Sequence, residues 1–489
     1  MPAVRSVALV TLGCVRNEVD SEELAGRLAA AGWRLEDDPA AADVAVVNTC
    51  GFVEQAKKDS VDVLLDVAEL RDDDASRTQA VVAVGCMSER YGKDLAEELP
   101  EVDAVLGFDS YADLSTHLDG ILHGARPESH VPRDRRTLLP VSPAKRQAAA
   151  RSGAVALPGL GELSDASLAK VPESGPPVVR ARLGSAPWAP LKLASGCDRR
   201  CSFCAIPAFR GSFVSRPPAD VLAEARWLAE QGVKEVFLVS ENSTSYGKDL
   251  GDLRALESLL PQLAAVDGLE RVRVSYLQPA EVRPGLLEAI AGTPGVTPYF
   301  DLSFQHSAPA LLRRMRRFGS TDEFLALLDR VRTLAPEAGV RSNVIVGFPG
   351  ETEDDVAELE RFLEGARLDV VGVFGYSDED GTEAASLTDK VDEAVVAERV
   401  DRISRLVEAL VDERAAQRVG TRDAVLVEEH DDDGDGLVSA VGRTGFQGPD
   451  VDGTTRIELA PGAELPPVGA LVPVQVTASE GVDLVARPL

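Results

Sequence analysis

The stretch Cys197-Asp-Arg-Arg-Cys201-Ser-Phe-Cys204 follows a strand-like apolar run and is preceded by Gly196. A loop this short brings its three sulfurs around one point. Three thiolates can hold three corners of a cubic [4Fe–4S] cluster and leave one iron open. A structural zinc site normally has four ligands, and no fourth cysteine or histidine lies close by in the sequence. The spacing therefore favours an iron–sulfur cluster whose open iron can bind a substrate or a cofactor.

The other three cysteines are spread evenly along the N-terminal region. Cys14, Cys50 and Cys86 stand 36 residues apart, each at the end of an apolar run and each beside a glycine. Strand-like and helical patterns alternate here, at 6–12, 18–31, 43–48, 53–70 and 80–84. This order predicts a parallel sheet with right-handed crossovers, and ligands bind at the carboxyl edge of such sheets. We expect a second open cluster there; the alternative is three buried cysteines that only fill the core.

The region 187–419 repeats the strand–helix alternation at greater length. Its strand candidates are 191–195, 235–240, 271–276, 299–304, 341–347 and 370–376. Helical patterns lie between them, for example at 220–231, 308–317 and 353–364, and a long amphipathic pattern follows at 393–419. Six β/α units in a row predict a partial barrel, open on one side, with its chemistry at the carboxyl ends of the strands.

Two regions differ in composition from the rest. Residues 126–186 are rich in Ala, Ser, Gly and Pro, which predicts a flexible linker or insertion with a solvated basic patch between Arg133 and Arg151. Residues 420–489 contain five short β-type runs and predict a small five-stranded antiparallel β-barrel. The expected fold class is α/β: an open parallel sheet domain in 1–125, the linker, a partial (β/α)6 barrel in 187–419 and the terminal barrel.

The bulk composition is that of an ordinary soluble globular protein, with 44% hydrophobic and 27% charged residues. No apolar stretch is long enough to span a bilayer, and the start lacks a signal-peptide pattern. We therefore expect a cytoplasmic protein without a membrane partner. The formal net charge is −30. Such a surface repels phosphate backbones, although the same acidity can merely keep a protein in solution or reflect its host's composition.

The three-cysteine loop resembles the signature of radical S-adenosylmethionine (SAM) enzymes. In that superfamily the methionine part of SAM chelates the open iron, and an electron from the cluster cleaves SAM to a 5′-deoxyadenosyl radical. Two later stretches fit the same resemblance, 240–242 after the second barrel strand and 342–353 around the fifth. Phe203 matches an aromatic position near the adenine, but it can equally be core filler. The resemblance implies SAM contacts from Phe203, Ser240, Glu241, Asn343, Ile345 and Gly347.

The N-terminal motifs narrow the resemblance to methylthiotransferases. Residues 10–17, 47–52 and 84–87 resemble the N-terminal domain of that family, and residues 420–489 resemble a TRAM domain. The resemblance implies insertion of a methylthio group into a C–H bond with SAM and two [4Fe–4S] clusters. The cluster that generates the radical would be held by Cys197, Cys201 and Cys204. The cluster that supplies the methylated sulfur would be held by Cys14, Cys50 and Cys86.

Two branches of this family differ in substrate. MiaB-type enzymes modify an adenosine derivative in tRNA, whereas RimO-type enzymes modify the β-carbon of an aspartate in small-subunit ribosomal protein S-twelve. The terminal region has no Lys and a large excess of Asp and Glu, which suits a basic ribosomal protein better than RNA. Residues 445–453 and 276–279 also resemble the RimO type, although Gln278 and the pair Ser303-Phe304 depart from its usual pattern. We therefore expect a RimO-like enzyme.

The expected partners follow from this resemblance. They are a basic ribosomal protein substrate, free or on the ribosome, and an electron donor protein, with tRNA as the less favoured substrate. Acidic residues of the terminal barrel, such as Asp450 and Asp452, are expected to face the substrate. The alternative of another class is a non-catalytic metal-bound interaction protein whose cysteines hold zinc or an inert cluster.

Overall fold

In the computed structural model the apolar runs that precede the N-terminal cysteines become neighbouring parallel strands. The structure describes residues 5–138, 142–151, 158, 180–432, 438–460 and 462–489. The strands of the first sheet are β1 (Ser6–Thr11), β2 (Arg34–Glu36), β3 (Val44–Thr49), β4 (Ala80–Gly85) and β5 (Ala104–Val105). Their order is β2-β1-β3-β4-β5 and every pairing is parallel. Both central strands β3 and β4 are fully buried, because helices cover both faces of the sheet.

The second domain is an open barrel of parallel strands. The barrel strands are β6 (Trp188–Lys192), β9 (Glu235–Val239), β10 (Arg271–Val274), β11 (Tyr299–Asp301), β12 (Gly339–Val346) and β13 (Val370–Gly375). Two short strands, β7 (Ala194–Ser195) and β8 (Val214–Ser215), form a separate antiparallel pair. One parallel sheet contains β6, β9 and β10, and another contains β11, β12 and β13. A parallel bridge between Leu277 and Leu302 joins the two. Among the described strands β6 and β13 do not pair, so the predicted partial barrel is confirmed and is open between them.

Helices surround both sheets. In the first domain they are Val15–Ala30, Glu54–Glu69, Cys86–Glu98 and Leu114–Leu122. Around the barrel they are Ile206–Arg210, Pro218–Glu230, Ala255–Ala264, Pro284–Gly292, Pro309–Arg314, Thr321–Leu334, Glu353–Ala366 and Glu393–Ala416. The barrel helices pack on the outer faces of the strands and form the largest apolar core. Among the helices that the structure describes, none combines the length and the apolar character needed to span a bilayer.

The C-terminal region forms the predicted small barrel. Its strands are β14 (Arg422–Asp432), β15 (Val438–Arg443), β16 (Thr455–Ile457), β17 (Leu471–Glu480) and β18 (Asp483–Pro488). They close in the order β14-β15-β16-β18-β17. The expectation of a wholly antiparallel barrel was wrong at one place, because β16 and β18 pair in parallel. The alternation of apolar and polar residues cannot distinguish parallel from antiparallel pairing, since strands of both kinds place successive side chains on alternate faces.

The terminal barrel covers the amino ends of the larger barrel's strands. Glu235, at the start of β9, accepts from Arg273 Nε at 2.7 Å and from Arg443 Nη1 of the small barrel at 3.3 Å. Asp452 is also part of this interface, since its carboxylate accepts from the Tyr299 hydroxyl and from the Gly448 amide. Asp452 is only 2% exposed, so the expectation that it faces a substrate was wrong. A buried carboxylate held by two donors is a docking contact between the barrels.

One helix of the first domain enters the mouth of the open barrel. Val19, on the helix Val15–Ala30, packs against the barrel residues Trp188, Phe237 and Val239. Asp20, one residue further, accepts from Lys192 Nζ at 2.6 Å and from Arg210 Nη1 at 2.7 Å. All three charged side chains are buried. Breaking such a buried ion pair typically costs about 3–5 kcal/mol, so the two domains are held in one relative position.

Part of the segment 126–186 packs on the domains that it connects. Residues Pro143–Arg151 form a helix. Arg135 donates to Glu89 Oε1 at 3.0 Å, and Arg146 donates to Asp198 Oδ2 at 2.8 Å; both arginines are buried. The expectation of a solvated basic patch was therefore wrong for these two side chains. The flexible-linker prediction for 152–157 and 159–179 lies outside the described residues.

Candidate active site

The loop that carries Cys197, Cys201 and Cys204 opens from the carboxyl end of the first barrel strands. Gly196 begins the loop at φ +78°, and a Cβ there would overlap the backbone carbonyl of Ser212. Only glycine therefore allows the chain to turn so closely. The three thiols line one side of a cavity of about 270 Å³. Burial raises the pKa of Cys204 to about 12 and also raises that of Cys197, so a positively charged partner is needed to hold these sulfurs as thiolates.

Four of the six predicted SAM contacts lie on this cavity. They are Phe203, Glu241, Asn343 and Ile345. The other two do not reach it in the described structure. Ser240 is fully buried and its Oγ accepts from the Asn242 amide at 3.1 Å. Gly347, at φ +79°, donates its N–H to the Glu351 carboxylate at 2.9 Å. Ser240 and Gly347 therefore shape the ends of their strands, next to the residues that line the cavity.

Glu241 is the carboxylate best placed to bind a cation in the cavity. Its side chain is 2% exposed, and neither carboxylate oxygen has a hydrogen-bond partner among the described residues. The nearest cation is Arg210, whose Nε lies 4.0 Å from Glu241 Oε1. Buried polar atoms are normally hydrogen-bonded, and a missing partner points to an absent ligand. An ammonium group such as that of SAM fits this requirement.

The three N-terminal cysteines converge at the carboxyl edge of the first sheet, as predicted. Cys14 is the N-cap of the helix Val15–Ala30, Cys50 follows β3, and Cys86 begins the helix after β4. A Cβ at Gly13 would lie 2.7 Å from Cys50 Sγ, so glycine is required where the loops meet. Gly85, at φ +95°, makes the corresponding turn into Cys86.

Two arginines donate to the sulfurs of this second trio. Arg16 Nε lies 3.4 Å from Cys14 Sγ, and Arg210 Nη2 lies 3.0 Å from Cys86 Sγ. Burial alone would raise the pKa of the Cys14 thiol, but the charges of Arg16 and Arg210 outweigh it and lower the pKa. For Cys86 burial prevails over Arg210 and raises the pKa to about 11. Thiolates that accept hydrogen bonds from cationic groups are the ligands that an iron–sulfur cluster needs.

Both cysteine-bearing domains contribute to the wall of this cavity. The first domain contributes Arg16, Phe52 and Val53 to its wall, and the barrel contributes the three loop cysteines. Within the described residues no group of three or more His, Cys, Asp and Glu side chains could hold a single metal ion. A zinc ion, with Zn–S bonds of about 2.3 Å, would need its thiolates about 3.8 Å apart. A cubic cluster is bound at separate iron corners and suits a wider arrangement.

Several cavity residues were not predicted from the sequence. Tyr276 and Gln305 line the cavity with φ of +58° and +70°, a strained conformation for residues with a side chain. Arg16 and Arg317 supply cations. Arg16 stands two residues after Cys14, inside the stretch 10–17 that resembles the methylthiotransferase domain, and this was its signal in the sequence. Tyr276 lies in the stretch 276–279 that resembles the RimO type, but its place at the cavity, like those of Gln305 and Arg317, depends on barrel closure.

Comparison with known proteins assigns a family to each part of the chain. Residues 6–107 match the uncharacterized protein family UPF0004, residues 191–363 match the radical SAM superfamily and residues 419–489 match the TRAM domain. A solved radical SAM methyltransferase, TsrM from Kitasatospora setae with cobalamin and a [4Fe-4S] cluster bound, has a related fold. It is 18% identical with a TM-score of 0.52, over 78% of this chain and 74% of that one. The open barrel and its cysteine loop thus define a radical SAM enzyme.

Full-length relatives narrow this class further. The chain is 70% identical to the ribosomal protein uS12 methylthiotransferase RimO of Kineococcus radiotolerans, over 99% of this chain and 97% of that protein. It is 66% identical to the protein of the same name from Streptomyces coelicolor, over 100% and 98% of the two chains. The chain belongs to the RimO family of ribosomal protein uS12 methylthiotransferases. It is a radical SAM transferase, and the predicted SAM and two [4Fe–4S] clusters are the cofactors of this family.

Proposed function

We propose that the chain adds a methylthio group to the β-carbon of an aspartate in ribosomal protein uS12. One observation supports this most strongly. A single cavity is lined by the three loop cysteines and by side chains that stand two or three residues after two of the N-terminal cysteines. A radical generator and a sulfur donor must act on the same carbon, so their ligands must face one space.

In this proposal Cys197, Cys201 and Cys204 hold one cluster, and Cys14, Cys50 and Cys86 hold the other. When bound, the two clusters and SAM supply a carbon radical that removes hydrogen from the substrate and the sulfur that replaces it. Glu241 binds the ammonium group of SAM through its free oxygens. Phe203, Asn343 and Ile345 line the remaining part of the SAM site. Apolar side chains such as Val53 and Ile206 form part of the wall and limit the access of water to the cavity.

The proposal also covers the reactants that come from outside the chain. The formal net charge of −30 favours association with a basic ribosomal protein, free or on the ribosome. Reductive cleavage of SAM needs one electron, so an electron donor protein is required. These reactants meet in the cytoplasm. The proposed domain limits are 1–125 for the auxiliary-cluster domain, 187–419 for the radical domain and 420–489 for the substrate-binding barrel, with 126–186 between them.

The test is anaerobic reconstitution of the wild-type chain and of two triple variants, each with one trio replaced by alanine. Wild type should take up about eight irons per chain, and each variant about four. With reductant, SAM and uS12 the wild type should form methylthio-aspartate, seen by mass spectrometry of the digested substrate. The variant that lacks Cys14, Cys50 and Cys86 should still release 5′-deoxyadenosine, whereas the variant that lacks the loop trio should not.

Deuterium at the β-carbon of the target aspartate gives an independent readout. The label should appear in 5′-deoxyadenosine when the wild-type enzyme acts on uS12. A product modified on tRNA and not on uS12, or loss of all eight irons in both triple variants, would contradict the proposal. The two variants serve as controls for one another, since each removes three thiols from one of the two domains that form the cavity.

A further inference from the structure

Three arginines line the cavity, and two of them are already engaged on the side of the radical loop. Arg199 forms an ion pair with Glu281. Arg317 donates to the backbone carbonyl of Ser303, and its Nη1 lies 3.9 Å from Cys201 Sγ. Both side chains therefore have acceptors beside the loop that carries Cys201.

Arg16 comes from the first domain and has different partners from the other two arginines. Its Nε donates to Cys14 Sγ at 3.4 Å, and its guanidinium carbon lies 4.9 Å from the centre of the Tyr276 ring. No hydrogen bond or ion pair within the described part of the chain engages its two terminal nitrogens. The stacked ring and the sulfur fix the plane of the guanidinium, so that a pair of N–H groups remains for an incoming acceptor.

The surrounding backbone is built to hold this stack. Tyr276 has φ +58°, and its amide donates to Asp301 Oδ2 at 2.8 Å. A tyrosine in the left-handed backbone conformation is strained. Such strain is retained where the surrounding contacts hold the residue in place, most often at functional sites. Here it places the ring under Arg16 at the cavity wall.

We propose that Arg16 binds the side-chain carboxylate of the substrate aspartate and thereby selects aspartate for the reaction. This inference rests on the proposed function. The substrate carbon that receives sulfur is directly bonded to that carboxylate carbon, and the sulfur comes from the side of Cys14. The group that recognises the carboxylate must therefore stand beside Cys14, and Arg16 is the cavity arginine that does. A planar fork of N–H donors matches a carboxylate in two parallel hydrogen bonds.

The other charged groups of the cavity are consistent with this role. Glu241 has oxygens free for a cation, and Glu379 is paired with Arg90 at 3.0 Å. Neither can attract the carboxylate of the substrate. A substrate with asparagine instead of aspartate would offer Arg16 one oxygen and no charge, so the guanidinium would stay partly unpaired. Loss of these charged hydrogen bonds should make wild type prefer the aspartate peptide about 10- to 150-fold.

The experiment compares two synthetic peptides that span the uS12 target, one with aspartate and one with asparagine. Their dissociation constants are measured on the reconstituted holoenzyme with S-adenosylhomocysteine, for wild type, Arg16→Gln and Arg199→Gln. Iron content and the electron paramagnetic resonance spectrum report whether the clusters are intact. The aspartate preference should fall to about threefold or less in Arg16→Gln and should persist in Arg199→Gln, since Arg199 is already paired with Glu281.

Two results would overturn the inference. One is an Arg16→Gln enzyme with intact clusters that keeps the wild-type preference. The other needs no variant: a wild-type enzyme that methylthiolates uS12 but binds both peptides equally. A wild-type enzyme that forms no methylthio product on uS12 would instead remove the proposed function, and the inference with it.

Discussion

Replacement of Glu241 by glutamine should weaken SAM binding and stabilise the ligand-free protein at the same time. The substitution keeps the shape of the side chain and removes its charge. In the structure both carboxylate oxygens are buried without a hydrogen-bond partner among the described residues, and the nearest cation lies 4.0 Å away. Without SAM the buried carboxylate therefore lacks hydrogen bonds, and it gains them when an ammonium group binds.

The size of both effects follows from this geometry. A hydrogen bond between an ammonium and a buried carboxylate contributes about 1.5–3 kcal/mol, so the dissociation constant of SAM should rise about 10- to 150-fold. Relief of an unsatisfied buried group is worth about 1–3 kcal/mol. For a cooperative unit of about 200 residues this raises the melting temperature by about 2–7 °C. Equilibrium dialysis of the anaerobic holoenzyme measures the first effect, and thermal melting without SAM measures the second.

Glu379 offers a matched control on the same cavity. Its carboxylate pairs with Arg90 at 3.0 Å and lies 3.7 Å from Lys57 Nζ, so Glu379→Gln breaks an ion pair that the folded protein already has. This variant should melt at a lower temperature, with SAM affinity little changed. The reasoning would be refuted by a Glu241→Gln enzyme that binds SAM as wild type does, or by one that melts at a lower temperature.

Three further predictions concern the framework of the site. Glu235→Gln should destabilise the fold by about 3–5 kcal/mol in denaturant titrations, because it removes the shared partner of buried arginines. Burial would raise the pKa of Glu235, but these arginines lower it to about 2 from the usual 4.5. Its stabilising contribution is therefore complete above pH 4.5 and lost as the pH falls towards 2, which acid melts of wild type and Glu235→Gln would show. Arg210→Gln should make the potential of the auxiliary cluster more negative in a redox titration, since it removes a cationic donor to Cys86 Sγ; an unchanged potential would contradict this. Gly85→Ala should lower iron uptake towards that of the N-terminal triple variant, because its Cβ would lie 2.6 Å from the Thr49 carbonyl oxygen and displace Cys86.

The cysteines and the strands that carry them could be predicted because their signals are local. Apolar runs that end in glycine and cysteine define both the strand and the edge at which the ligand group stands, as at Cys50 after β3. The short edge strands β2 and β5 were missed, since two or three residues are too few for a periodic pattern. Phe203 was predicted from its place in the loop, and it does line the cavity.

The features that the sequence did not reveal depend on contacts between domains. The sequence around Asp452 predicts an exposed carboxylate, and only the docking of the two barrels buries it against Tyr299. The composition around Arg135 and Arg146 predicts a solvated basic patch, but each arginine is paired with a carboxylate that is distant in sequence. The entry of Val19 into the barrel mouth has no local signature either, because any helix presents an apolar face.

The helix Val15–Ala30 holds the first domain, which carries Cys14, and the barrel, which carries the cysteine loop, in one fixed arrangement. Its first turn presents Arg16 at the wall, and its next residues lock into the barrel through Val19 and the buried charges around Asp20. Movement of the helix out of the barrel would separate the Asp20 carboxylate from Lys192 and Arg210. These contacts thus fix the distance between the two sides of the site, and the substrate side chain must move to reach both of them.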